Sequence, residues 1–209
     1  MYGNIIWYKE LDICVFNIEA SKGKIYLVGG ANSGGTIICI DPDGRILWQV
    51  SFDQIIYSIA IHDDMIYLGG NRIIATLSLE GKIVDVMNIS MLVGGIVFWG
   101  DSIYIFGGFP VGCLLRLDKE WNIIWIRYFG DVLSKIYITQ DGYIYAVGGY
   151  APGFIVKLNS DGEILWKYYI GNIVYSIGQV RDKIMFCGGD YPAFIGWIRG
   201  DNVVDIHAI

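Results

Sequence analysis

Charge is scarce in this sequence. Of its 209 residues only 17% are Asp, Glu, Lys or Arg, while 54% are hydrophobic; soluble domains usually carry roughly 25% charge. So apolar a chain invites a membrane reading, yet it lacks any run of the roughly 18 uncharged apolar residues that a spanning helix needs. Its longest uncharged runs, 25–40, 86–100 and 142–156, are broken by glycines together with Asn32, Ser33, Asn88, Ser90 or Pro152. An excess of basic residues is also missing: the net charge is −6, which argues against nucleic acid as a partner, because phosphate binding needs a basic surface. The N-terminal Met1-Tyr2-Gly3-Asn4 has neither the basic start nor the apolar core of a secretory signal, so a cytoplasmic location is expected. The four cysteines, Cys14, Cys39, Cys113 and Cys187, lie far apart with no zinc-site spacing. Each falls in an apolar strand pattern, where a small buried thiol is expected. With two histidines, His62 and His207, nothing calls for a metal or a cofactor.

Amphipathic segments of helical length are absent as well. Gly, Pro, Asn and Asp interrupt the chain roughly every 6–10 residues, and the runs between them favour Ile, Val, Tyr, Phe and Trp, as strands do. A rhythm runs through these strands. Gly-Gly pairs begin at Gly29, Gly69, Gly107, Gly148 and Gly188, with spacings of 40, 38, 41 and 40 residues. Each closes a short strand such as Ile25-Tyr26-Leu27-Val28 or Ile144-Tyr145-Ala146-Val147. An apolar strand precedes it, and a third follows at 36–40, 73–77, 113–117, 154–158 or 194–198. A fourth runs through Ile46-Leu47-Trp48, Ile123-Ile124-Trp125 or Ile164-Leu165-Trp166. The turn before it is Asp41-Pro42-Asp43-Gly44 or Asn159-Ser160-Asp161-Gly162, with residues that tolerate a tight hairpin.

Four short antiparallel strands in each unit of roughly 40 residues describe a propeller blade. The expected fold is therefore all-β: one five-bladed β-propeller domain over residues 1–209, of four-stranded antiparallel blades. The units resemble bacterial and archaeal β-propeller repeats of the form Asp-Gly-x-x-Tyr, Gly-Gly, Phe-Ile-x-Lys-Leu, Asp-Gly-x-x-x-Trp, similar to those of quinone-dehydrogenase-like propellers. The fourth unit matches best, with Asp141-Gly142, Tyr145, Gly148-Gly149, Phe154-Ile155-Val156-Lys157-Leu158, Asp161-Gly162 and Trp166. Units two and five place Asp85 and Asp205 where the others place Trp. The resemblance implies a fold and mostly binding roles, without shared catalytic residues. Gly3-Asn4-Ile5-Ile6-Trp7 matches a fourth strand and is expected to close the last blade. The competing 202–206 segment would then be an edge strand or tail. A monomer is expected; a surplus edge strand left free would instead promote oligomers.

One set of strand ends gathers the acidic turns, among them Asp41, Asp43, Asp63, Asp118, Asp141 and Asp161. Hairpin chemistry explains them, since the oxygen ligands and Glu of a calcium loop do not follow. At the other set, Phe109-Pro110, Tyr150-Ala151-Pro152 and Tyr191-Pro192 stand in the Gly-Gly loops. Gln54, Asp131 and Asn172 lie at equivalent positions where blades begin, with Asp53 one residue earlier. Polar groups converging beside aromatic loops suit a small-ligand, peptide or glycan site. Strand capping is the competing reading of the four polar residues. Trp7, Trp48, Trp125 and Trp166 are expected to pack between blades, and Trp121 stands where other units have the turn glycine, either as an anchor for a partner or as core. The function expected is a non-enzymatic binding or scaffold module presenting an aromatic loop face around a central channel to a protein or glycan. The alternatives are a glycosidase using two of Asp12, Asp53 and Asp131, and a self-assembling structural protein. The richness in Ile and Tyr suggests a thermophilic source.

Overall fold

The computed structural model describes residues 7–31, 34–190, 192–199 and 202–208, and every regular element among them is a β-strand. The chain forms two compact units, Met1–Ile96 and Val97–Ile209. In the first, β1 (Cys14–Ser21), β2 (Lys24–Ala31), β3 (Gly34–Ile40) and β4 (Ile46–Phe52) make an antiparallel meander in chain order. β5 (Ile56–His62), β6 (Met65–Ser78) and β7 (Ile83–Trp99) follow, and β7 carries the chain into the second unit. That unit continues with β8 (Ser102–Gly107), β9 (Cys113–Asp118) and β10 (Ile123–Tyr128). Two further meanders complete it. One is β11 (Leu133–Ile138), β12 (Ile144–Gly148), β13 (Gly153–Leu158) and β14 (Ile164–Ile170); the other is β15 (Val174–Val180), β16 (Lys183–Gly188), β17 (Phe194–Arg199) and β18 (Asn202–Ala208).

These are the four-stranded antiparallel blades of a β-propeller, but hydrogen bonding gathers the strands into four sheets instead of the expected five. The sheet formed by β5 to β10 has six strands and absorbs two repeats. Its two long strands, of 14 and 17 residues, each replace a pair of short ones. The reason is local. Where repeats three, four and five have a proline-bearing loop, repeat two has only Asn71-Arg72. Where others have an Asp or Asn that breaks the strand, the stretch Asn88-Ile89-Ser90-Met91 runs on in extended form. The repeat-two register is also offset by one residue. Asn71 N–H donates to Ile55 O (2.9 Å) as Gly149 N–H does to Val132 O and Gly189 N–H to Ile173 O. Gly70-Asn71 is thus the structural counterpart of the other glycine pairs, not Gly69-Gly70.

The hairpins form as their residues dictate. Asp41 Oδ1 accepts the N–H groups of Asp43 (3.0 Å) and Arg45 (2.8 Å), and Gly44 turns with φ +80°. Asn159 Oδ1 does the same for Asp161 and Glu163, with Gly162 at φ +76°. These carboxylate and amide oxygens are satisfied by backbone N–H groups within their own turns. Asp118 accepts from Asn122 through both side chain and backbone, which holds its carboxyl below the ordinary carboxylate value. Trp121 takes the turn position at φ +67° and is half-buried.

Tryptophans then pack from one strand group onto the next. A Cβ on Gly44 would stand 3.0 Å from the Trp7 ring, one on Gly81 2.7 Å from Trp48, and one on Gly162 2.8 Å from Trp125. Trp7 Nε1 donates to Pro42 O (2.8 Å) and Trp125 Nε1 to Ser160 O (3.1 Å). Turn glycines serve these contacts because the indole lies where a side chain would be. Three apolar cores result. The first joins Val28 and Ile37 with Ile56 and Ile59, the second Phe106 and Leu114 with Leu133 and Ile136, the third Val147 and Ile155 with Val174 and Ile177.

Two further expectations are corrected. The fourth strand of the last sheet is β18, paired antiparallel with β17; of the segment expected there, residues 3–6 lie outside the described residues. Cys39 and Cys113 are buried as expected, but Cys14 and Cys187 are exposed.

Candidate functional site

In the second unit the Gly-Gly loops are tied to the strands that begin beside them. Gly108, Gly149 and Gly189 turn with φ of +90°, +81° and +84°, a region open to glycine at little cost. Gly112 N–H donates to Asp131 O (2.9 Å), and Gly153 N–H to Asn172 O (3.2 Å). A Cβ on Gly112 or Gly153 would stand 2.1 or 2.3 Å from those same carbonyl oxygens, so the close approach requires glycine. The Phe109-Pro110 and Ala151-Pro152 peptides are cis.

Asp131 and Asn172 act first as caps. Asp131 Oδ1 accepts from Val132 N–H (2.6 Å) and Oδ2 from Tyr150 N–H (3.3 Å), while Asn172 Oδ1 accepts from Ile173 N–H (2.8 Å). Through Oδ2, Asp131 ties down the loop that presents Tyr150. The aromatic side chains themselves stand out: Phe109 is 68% exposed and Tyr150 54%. The sequence did not single out Tyr175, 46% exposed, whose hydroxyl donates to Asp190 Oδ1. That bond, with partial burial and the nearby Asp190 and Tyr150, raises the Tyr175 hydroxyl above its ordinary value. Its signal was the aromatic at the strand bulge, shared by Phe16, Tyr57 and Tyr175. The structure thus brings together Asp131, Tyr150, Tyr175 and Asp190, with the Phe109 loop anchored on Asp131.

Asp53 and Gln54 belong to the first unit, where both are exposed. Gln54 borders an open groove of about 440 Å³ with Arg72, Asn88, Ile89 and Ser90. Tyr191 lies outside the described residues.

A groove of about 780 Å³, open to solvent, lies at the opposite strand ends of the second unit. Tyr137, Tyr143, Lys157, Gln179, Arg181 and Asp182 are among its lining residues. Tyr137 Oη donates to Gln179 Oε1 (2.9 Å), linking β11 to β15. Lys157 is almost fully buried, its Nζ 4.2 Å from the Tyr143 ring centre and 5.8 Å from that of Tyr145. Ring faces partly replace the hydration that burial removes from a cation. Sequence reasoning placed only acidic turns here, because Lys157 sits inside a strand motif. Among the described residues no group of three or more His, Cys, Asp and Glu could hold a metal ion, and no helix is long and apolar enough to cross a membrane.

No protein-family model matches the chain, and no curated protein matches it. Solved structures do. A protein of unknown function from Bacteroides caccae superposes with a TM-score of 0.65 at 12% identity, over 88% of this chain and 72% of that one. BamB from Moraxella catarrhalis superposes with a TM-score of 0.63 at 14% identity, over 81% of this chain. This chain spans 54% of the BamB chain. At such identities the likeness shows the propeller fold alone.

Proposed function

We propose that the chain is a non-enzymatic binding module whose second unit takes a protein or glycan partner on its Gly-Gly-loop face. The observation that carries this reading is the group of exposed rings, Phe109, Tyr150 and Tyr175, held beside Asp131 and Asp190 on loops locked by backbone hydrogen bonds. Rigid aromatic side chains flanked by polar groups are what binding hot spots are made of, and pre-organised loops lower the ordering cost of association. The glycosidase alternative has less support, because both Asp131 oxygens already accept backbone N–H groups. The resemblance to quinone-dehydrogenase-like repeats supports the reading of the repeats and adds no cofactor to it.

The test is selection of peptides from a display library, and screening of an immobilised glycan panel, against the native chain and a Phe109→Ala/Tyr150→Ala/Tyr175→Ala variant. Ligands selected on the native chain should bind the variant at least about tenfold more weakly, the scale of losing one hot-spot ring. Equal binding by a variant with an unchanged melting temperature would refute the assignment of this face.

A further inference from the structure

The groove of about 780 Å³ in the second unit draws its walls from two turns, one joining β11 to β12 and the other β15 to β16. Both turns are braced. Thr139 Oγ1 accepts from Tyr143 N–H (3.1 Å) and donates to Asp141 Oδ1. Tyr137 Oη donates to Gln179 Oε1, and Gln179 Nε2 donates in turn to Arg181 O (2.6 Å). Walls braced in this way lower the ordering cost of binding. The volume lies in the range of about 300–1,000 Å³ common to small-molecule sites.

Lys157, on β13, brings a cation into this lining although it is only 8% exposed. It lies opposite Tyr145, as Arg116 lies opposite Tyr104 one repeat earlier. There the guanidinium donates to Ser102 Oγ (3.0 Å) and Ser160 O (2.7 Å). Two residues ahead of Tyr145 the chain has Tyr143 in place of that serine, and the Lys157 ammonium lies 4.2 Å from its ring centre. Ring faces attract a cation through their quadrupole and carry no net charge. Arg181 adds a second, exposed cation to the lining. The two acids there, Asp141 and Asp182, are exposed to water, and Asp141 already accepts the Thr139 hydroxyl. Charges in water are screened, while a buried one acts through a lower dielectric. The inner groove is therefore positive.

We propose that this groove binds a small organic oxyanion, a carboxylate or a phosphate ester, whose charged end meets Lys157 and whose polar body lies between the two turns. An organic body is called for because the groove is far larger than a bare ion, and Gln140 and Tyr143 line it with an amide and a hydroxyl. The site lies at the strand ends opposite the Gly-Gly loops and does not rest on the reading of that face.

Isothermal titration calorimetry at fixed ionic strength tests this with glucuronate, glucose 6-phosphate and glucose as probes. At least one acid should bind about tenfold or more tightly than glucose, the scale of one hydrogen bond to a charged group. The stronger of the two identifies the oxyanion. Lys157→Met keeps an unbranched side chain without the charge and should abolish the preference for the acid. Arg181→Gly should weaken the preferred acid about threefold, the scale of an exposed ion pair. Its melting temperature should not fall, because Arg181 turns with φ +57° and Gly100, in the corresponding β7–β8 turn, with φ +56°. The Phe109→Ala/Tyr150→Ala/Tyr175→Ala chain should bind the acid as the native chain does; a loss there would put the acid on the loop face and overturn the proposal. Binding of neither acid, or glucose bound as tightly, would overturn it as well. So would a preference that survives Lys157→Met. If that variant does not fold, unchanged binding by Arg181→Gly is the overturning result.

Discussion

Gly162 tests how the second unit is held together. It turns with φ +76°, and an added Cβ would stand 2.8 Å from Cδ2 and Cε2 of Trp125. The indole cannot withdraw freely, because its Nε1 is bonded to Ser160 O and Arg127 Nε donates to Gly162 O at 2.6 Å. Gly162→Ala therefore meets two costs. The left-handed backbone costs an alanine about 1–2 kcal/mol, and forcing a methyl against a fixed ring costs about 1–3 kcal/mol. Gly130, in the same unit, has φ +82° with nothing within 4 Å of its Cβ position, so Gly130→Ala meets only the first. In a chain of this length each kcal/mol moves the melting temperature by about 2–4 °C. Calorimetry should show a fall of about 5 °C for Gly130→Ala and about 10 °C for Gly162→Ala. In a Trp125→Leu background the Gly162→Ala loss should shrink to that of Gly130→Ala. Equal losses in the two single variants would refute the view that the indole over the turn carries the packing.

Two more predictions concern buried groups. The Tyr26 hydroxyl is pushed up to about 12, chiefly by burial, with Cys39 and Glu80 adding to the shift. The folded chain keeps a proton that the unfolded chain releases near pH 10, so this stability is present below pH 10 and is lost between about pH 10 and 12. Alkaline denaturation series should show a shallower loss over that window for Tyr26→Phe. Among the thiols, Cys14 and Cys187 are exposed while Cys39 and Cys113 are buried with raised values. In the native chain a disulfide reagent should titrate two thiols at once and two more only on unfolding. Four fast thiols would contradict the cores described here.

The strand positions were readable because each short apolar run ends in glycine or an Asx turn, and Asp41 and Asn159 bond their own turns as their residue types require. The number of sheets was not readable. A glycine pair reports where a strand turns but not whether hydrogen bonding stops there, and in β6 and β7 it does not. The thiols misled for a related reason. Cys187 occupies the position of buried Val147, and its exposure depends on what lies beyond the sheet. At the candidate site, Phe109 and Tyr150 drew notice as aromatic residues of the Gly-Gly loops, and both are exposed. The caps of Asp131 and Asn172 were an open alternative that geometry favoured, and Lys157 was hidden because a buried cation inside an apolar strand motif looks like part of the repeat.

The sameness of the joints bears on ancestry. Val28 and Ile37 meet Ile56 and Ile59 at the same strand positions where Phe106 and Leu114 meet Leu133 and Ile136, and Val147 and Ile155 meet Val174 and Ile177. Unequal recombination between repeats can therefore lengthen or shorten such a chain in a single genetic event while apolar side chains still face one another across each core.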